Sequence, residues 1–139
     1  MNVLVDTSVW SLAFRRTATD LNATEKSFVV ELGELIKEGR VRIIGLVRQE
    51  FLSGIRTMGQ YEKLRSALGE FPDEIVNTND HEAAARAANE CRARGVAVSV
   101  TDILICEIAL SRGFAIFTVD PDFRNYARVV PIRLHAPRK

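Results

Sequence analysis

Five acids in this chain of 139 residues have the types and spacing to do chemistry together. Asp6 closes the apolar run Val3-Leu4-Val5, and Glu50 follows a second apolar segment at 41–44. Asp102 stands three residues after Ser99, and Asp120 and Asp122 flank Pro121 after the apolar stretch 115–119. A charge at the end of a buried strand needs a partner. No lysine or histidine lies near any of the five in sequence. Crowded carboxylates raise one another's pKa and cannot all stay ionised without a cation. Hard divalent ions with oxygen ligands, Mg²⁺ or Mn²⁺, suit that role. Such ions activate water and clamp phosphodiester oxygens, so the set points to phosphodiester hydrolysis. Small hydroxyls sit beside the acids: Thr7 and Ser8 next to Asp6, Thr101 next to Asp102, and Thr118 near Asp120. They are expected to orient carboxylates around a metal.

Each acid also has a plain structural explanation. Ser99 and Asp102 fit an S-x-x-D capping box. Asp120 before Pro121 fits a helix N-cap, and Asp122 favours the dipole of the helix that follows. Asp6 can cap its own helix, and Glu50 can be solvated. Their joint placement separates the readings, and it depends on the elements that carry them.

Residues 2–6 read as a buried strand, followed by a short helix from Thr7 or Ser8. Phe28, Val29, Leu32, Leu35 and Ile36 give residues 22–38 helical periodicity, and Gly39 stops that helix. Strands are expected at 41–44, 74–77, 115–119 and 129–134. Helices are expected at 46–57, 60–70, from Asn79 or Asp80 to Gly95, from Ser99 to Gly113, and from Pro121. The polar segment from Arg15 to Ala23 reads as a mobile flap. Alternating strands and helices predict a mostly parallel α/β sheet in a three-layer sandwich, one domain over residues 1–139. In such a sheet, strand C-termini and the starts of the following helices share one edge, where ligands bind. All five acids belong to that edge.

Composition agrees with a globular chain, at 47% hydrophobic and 27% charged residues. No apolar run is long enough to span a membrane. Met1–Asp6 lacks a basic region and cleavage site, so no secretory signal is expected and a cytoplasmic location is. Cys91 and Cys106 read as reduced core thiols. His81 and His135 lack zinc-ligand spacing. Of 19 basic residues 15 are arginine. That suits phosphate recognition once the acids are gathered in one site, although GC-rich codon usage produces the same bias.

At four places the sequence resembles a known family. Val5-Asp6-Thr7-Ser8, Arg48-Gln49-Glu50-Phe51, Thr101-Asp102-Ile103-Leu104-Ile105 and Thr118-Val119-Asp120-Pro121-Asp122-Phe123 are similar, in order and spacing, to the signature blocks of PIN-domain ribonucleases. Within that group the chain resembles VapC toxins of type II toxin–antitoxin pairs, from Asn2 to about Leu134. The resemblance implies a five-stranded parallel sheet, Mg²⁺ or Mn²⁺ dependence and endonucleolytic cleavage of RNA. It implies Asp6, Glu50, Asp102 and Asp120 as the acidic quartet, with Asp122 as an accessory acid. A homodimer and a small antitoxin partner over the active-site groove are implied too.

On that reading Asp6, Asp102 and Asp120 hold the principal metal, and Glu50 and Asp122 tune it or help hold a second. Arg15, Arg16, Arg48 and Arg124 are candidates to position the RNA backbone. An apolar groove for the antitoxin is expected beside the site, partly between the helices at 22–38 and 46–70. Phosphotransfer is a poor fit, because position 8 is serine rather than a second aspartate and no lysine is suitably placed. A PIN-type RNA-processing nuclease and a non-catalytic RNA-binding module on the same fold are the remaining alternatives.

Overall fold

A computed structural model describes residues 1–139. Its centre is a parallel sheet of three short strands, β1 (Val3–Val5), β2 (Val41–Arg42) and β3 (Ala115–Phe117), in the order β2-β1-β3. Val3 lies opposite Val41 on one side and Ala115 on the other. Every residue of β1 and β3 is buried, as expected of strands covered on both faces.

The sheet is narrower than the five strands expected. The two outer segments are reduced to single parallel bridges, Ile43 with Asp73 and Ile116 with Leu134. Proline explains both. Pro72 offers no N–H just before the first bridge, and Ile75 beyond it is 81% exposed. Pro131 interrupts the second segment, where only the Arg133 carbonyl and the His135 N–H pair with Ile116.

Seven helices surround the sheet: α1 (Thr7–Phe14), α2 (Ala23–Lys37), α3 (Gly45–Leu52), α4 (Met58–Leu68), α5 (Thr78–Ala93), α6 (Val100–Arg112) and α7 (Asp122–Tyr126). They form two packing groups, α1 with α2 and α3, and α5 with α6, while α2 also touches β2 and α6 touches β1 and β3. Chain direction explains the split. From β1 the chain crosses through α1 and α2 to β2, then returns through α5 and α6 to β3 on the opposite side of β1. Right-handed crossovers in opposite directions place their helices on opposite faces.

Local signals set most helix ends. Asn22 and Glu25 form a reciprocal capping box for α2. Gly39, Gly95 and Gly113 follow helices with φ of 68°, 79° and 71°, a conformation that favours glycine. Asn77, rather than Asn79 or Asp80, caps α5. That cap replaces the end of the strand expected at 74–77. α3 is also shorter than expected, ending at Leu52 before a left-handed Gly54. The segment read as a flap carries a 3₁₀ turn at Ala18–Asp20. It is tied down by Arg16, which donates to Glu25 at 3.1 Å and to the Asp20 carbonyl at 3.0 Å. Both cysteines are free and buried, as expected. No helix is long and apolar enough to cross a membrane.

Candidate active site

β1 and β3 run outward from the point where the chain reverses its direction of strand addition. In open parallel sheets the crevice at that point, at the carboxyl edge, is where ligands bind. Asp6 leaves β1 there, and its N–H donates to the Phe117 carbonyl of β3 at 2.9 Å. The side chain caps α1 and is 4% exposed. Three donors converge on a single oxygen, Oδ2: the Ser8 hydroxyl at 2.7 Å, the Thr118 hydroxyl at 2.8 Å and the Ser8 N–H at 3.4 Å. Each hydroxyl is fixed in turn by a backbone donor. Val119 N–H donates to Ser8 Oγ at 3.1 Å, and Asp120 N–H to Thr118 Oγ1 at 3.0 Å. Ser8 and Thr118 therefore both bond the Asp6 carboxylate. The Thr7 hydroxyl oxygen is buried and has no partner.

Asp102 sits in the first turn of α6. Its N–H donates to Ser99 Oγ at 3.0 Å, so that half of the expected cap forms. The reciprocal half is replaced, because Asp102 Oδ2 accepts the Tyr126 hydroxyl at 2.7 Å. Asp120 Oδ1 accepts the Asp122 N–H at 2.9 Å, while Pro121 takes the N-cap position of α7, one residue later than expected. Asp102, Asp120 and Asp122 each offer an oxygen, and all three lie within 4.8 Å of one another. In Asp6, Asp102 and Asp120 one oxygen is held by protein donors, and the other has none.

The electrostatics follow from burial without a cation. Burial pushes the Asp6 carboxyl above its ordinary range, against the lowering pull of Ser8 and Thr118. Burial also raises Asp102; Tyr126 opposes the rise, and the charges of Asp6 and Asp120 add to it. Asp6 is thus within electrostatic reach of Asp102, although it lies outside the tight group of three. Glu50 stands apart from that group. It is exposed in the second turn of α3, where Val47 and Phe51 take the inward face, and it bonds to no other side chain.

Two of the four candidate arginines are already engaged. Arg48 is bonded to Asp73, to the Leu68 carbonyl at 2.9 Å and to the Phe71 carbonyl. Arg16 is held as described above. Arg15 and Arg124 are exposed and unpaired. The apolar groove also lies elsewhere than expected. A groove of about 280 Å³ runs between α5 and α6, lined by Ala84, Ala88, Val98, Ile103 and Leu104, with Leu46 of α3. The openings along α3 and α4 are mostly polar, because their apolar residues Val47, Phe51, Leu64 and Leu68 are spent on the core. Tyr126 is the site residue that sequence reasoning missed. The only hint was a tyrosine one helical turn after Asp122.

An α/β domain with an aspartate cluster at the carboxyl edge of a parallel sheet is the class that fold and site define. The chain belongs to the PIN domain family, whose model matches residues 3–129. Among curated proteins it is similar to ribonuclease VapC11 of Mycobacterium tuberculosis and a VapC ribonuclease of Mycobacterium bovis. Each is 29% identical over 135 residues, covering 94% of this chain and 96% of the relative. Among solved structures it is similar in fold to FitAcB from Neisseria gonorrhoeae, with a TM-score of 0.74 and 18% identity over 97% of each chain. VapBC2 from Rickettsia felis, solved with a DNA fragment from its promoter, gives a TM-score of 0.73 at 15% identity, covering 97% of this chain and 98% of that one.

The donor set fits a hard divalent cation. It is all oxygen, it is gathered within a few ångströms, and no lysine, arginine or histidine neutralises it.

Proposed function

We propose that this chain is a metal-dependent endoribonuclease acting as the toxin of a toxin–antitoxin pair. One observation carries the reading: three aspartates at the carboxyl edge each keep one oxygen free while protein donors hold the other. Hydrogen bonding to one oxygen fixes a carboxylate's orientation, and the free oxygens are left to a cation. Asp6, Asp102, Asp120 and Asp122 would hold Mg²⁺ or Mn²⁺. A bound ion of this kind activates water and neutralises charge on a phosphodiester. Ser8 and Thr118 keep Asp6 in place, and Arg124, two residues beyond Asp122, positions the RNA backbone. Glu50, exposed and unpaired on the helix that follows β2, would act from the rim rather than as a ligand within the tight group. The names of the curated relatives and of the VapBC neighbours support RNA as substrate and an antitoxin as partner. A homodimer and a cytoplasmic location belong to the same reading.

The decisive experiment is cleavage of a quenched fluorescent single-stranded RNA with Mg²⁺, Mn²⁺ or EDTA. Cleavage is expected only with metal, and Asp102→Asn is expected to lower it by at least about 100-fold. Metal-independent cleavage, or full activity in that variant, would refute the assignment. Co-expression with the gene beside its own tests the toxin role. A stable complex and relief of growth arrest are expected. Harmless expression alone, without a complex, would point to an RNA-processing enzyme.

A further inference from the structure

We propose that Tyr126 is a positioning residue of the acidic site, anchoring one oxygen of Asp102 so that the other is presented to a divalent cation. The inference rests on the metal-site reading above and adds to it a residue on α7. Tyr126 is 2% exposed, and its hydroxyl has Asp102 as sole partner, at 2.7 Å. A buried phenol needs a hydrogen-bond acceptor. This one uses a carboxylate of the site. A hydroxyl donating to a charged oxygen makes one of the stronger and more directional bonds in a protein.

The ring itself is immobilised. It packs edge-on against Phe123, with centroids 5.1 Å apart and planes at 75°, and Phe123 is fully buried. The donor is therefore held in place, and Asp102 Oδ2 accepts its hydrogen bond. Tyr126 is the stronger restraint on the Asp102 carboxylate, because Ser99 bonds mainly to the backbone N–H and adds a weaker pull on the side chain. Tyr126 also lies one helical turn from Asp122, an acid of the tight group. One short helix thus brings both an acid to the cluster and the group that holds a neighbouring acid.

The test is Tyr126→Phe in the full chain, which keeps the ring and removes only the hydroxyl. Mn²⁺ alone, titrated by electron paramagnetic resonance without RNA, is expected to bind about 10- to 100-fold more weakly than to the wild type. The kcat for RNA is expected to fall while KM is unchanged. Phe123→Leu loosens the ring's packing but keeps the hydroxyl, and is expected to lose clearly less Mn²⁺ affinity than Tyr126→Phe. Unchanged Mn²⁺ binding in Tyr126→Phe would overturn the assignment. So would an equal loss in Phe123→Leu, which would make the role one of packing. A wild-type chain that binds no Mn²⁺ would instead bring down the metal-site reading, and this inference with it.

Discussion

Glu31 and Asp6 are both acids in the interior, at 2% and 4% exposure, and their surroundings are opposite. Glu31, on α2, receives His135 Nε2 at 2.6 Å on one oxygen and Arg138 Nε at 2.8 Å on the other; Arg138 Nη2 adds a third side-chain bond at 3.1 Å. Asp6 receives two hydroxyls and a backbone N–H, all on one oxygen, and no cation. Asp80, the third buried acid, resembles Glu31, with Arg112 at 2.5 and 2.9 Å. Where a buried acid serves the fold, the chain supplies its counter-charge. At the carboxyl edge it supplies only neutral donors and further acids. That withheld counter-charge is what distinguishes a site that takes up a cation from a buried ion pair.

The contrast predicts that the same change, carboxylate to amide, has opposite effects in the two places. At Glu31 both oxygens accept hydrogen bonds, so a glutamine would turn its NH₂ toward a donor. Glu31→Gln is expected to lower stability by on the order of 2 kcal/mol. That is below the usual cost of breaking a buried pair, because Arg138 is half exposed and screened by solvent. The effect has a defined pH range. Burial alone would raise the Glu31 pKa, but the bonds from Arg138 and His135 hold it down to about 2, against an ordinary 4.5. A lowered folded-state pKa contributes stability that is complete above the unfolded value and lost as pH falls through the folded one. Thermal melts of wild type and variant should therefore differ most at neutral pH and converge as pH drops from 4.5 toward 2. A gap independent of pH would show that Glu31 acts through shape alone.

At Asp6 the arithmetic reverses. The Ser8 and Thr118 donors all reach Oδ2, so an asparagine can keep those bonds with its single carbonyl oxygen. Asparagine is also as good an N-cap as aspartate. Only the charge is lost, and burial has already made that charge unfavourable. Asp6→Asn is expected to be neutral or stabilising by up to about 1 kcal/mol in metal-free buffer. The sign is again set by the pKa. A raised folded-state pKa costs stability above it, so the gain should vanish in acid, where wild-type Asp6 is neutral too. Added Mn²⁺ should raise the melting temperature of the wild type and not of the variant. A marked loss of stability in metal-free buffer would make Asp6 a structural acid like Glu31.

This difference was only half legible in the sequence. Asp6, Asp102, Asp120 and Asp122 could be placed on one edge because strand ends and helix starts are set by local signals: an apolar run, Ser99 three residues before Asp102, and proline after Asp120. Ser8 and Thr118 were found as neighbours in sequence. The partners of the structural acids were not, because His135 and Arg138 lie 104 and 107 residues from Glu31. Tyr126 on α7 reaches Asp102 on α6 across 24 residues, and no periodicity reports that. The start of α5 was misplaced because Asn77, Asn79 and Asp80 can all cap. The three-residue spacing of Asn77 and Asp80 closes a reciprocal box, and that decides it. The outer strands failed at Pro72 and Pro131, where edge pairing lacks the donors that alternation alone assumes.

Thr7 gives the smallest expected effect and the finest test of the same contrast. Its hydroxyl oxygen is buried without a hydrogen-bond partner, one residue after Asp6. A buried hydroxyl left unsatisfied is a cost to the fold, and such an exception in a natural structure calls for an explanation, a role in chemistry being one. Valine has nearly the same shape and no polar atom. Thr7→Val is therefore expected to raise stability by about 0.5 kcal/mol, part of the penalty for an unpaired hydroxyl. If the hydroxyl belongs to the acidic site, RNA cleavage should fall severalfold in the same variant that melts higher. Stability and activity moving in opposite directions is the signature of a group kept for chemistry at the expense of packing. A rise in melting temperature with unchanged cleavage would reduce Thr7 to an ordinary first-turn residue. The uncompensated polar groups of this edge would then be the carboxylates alone.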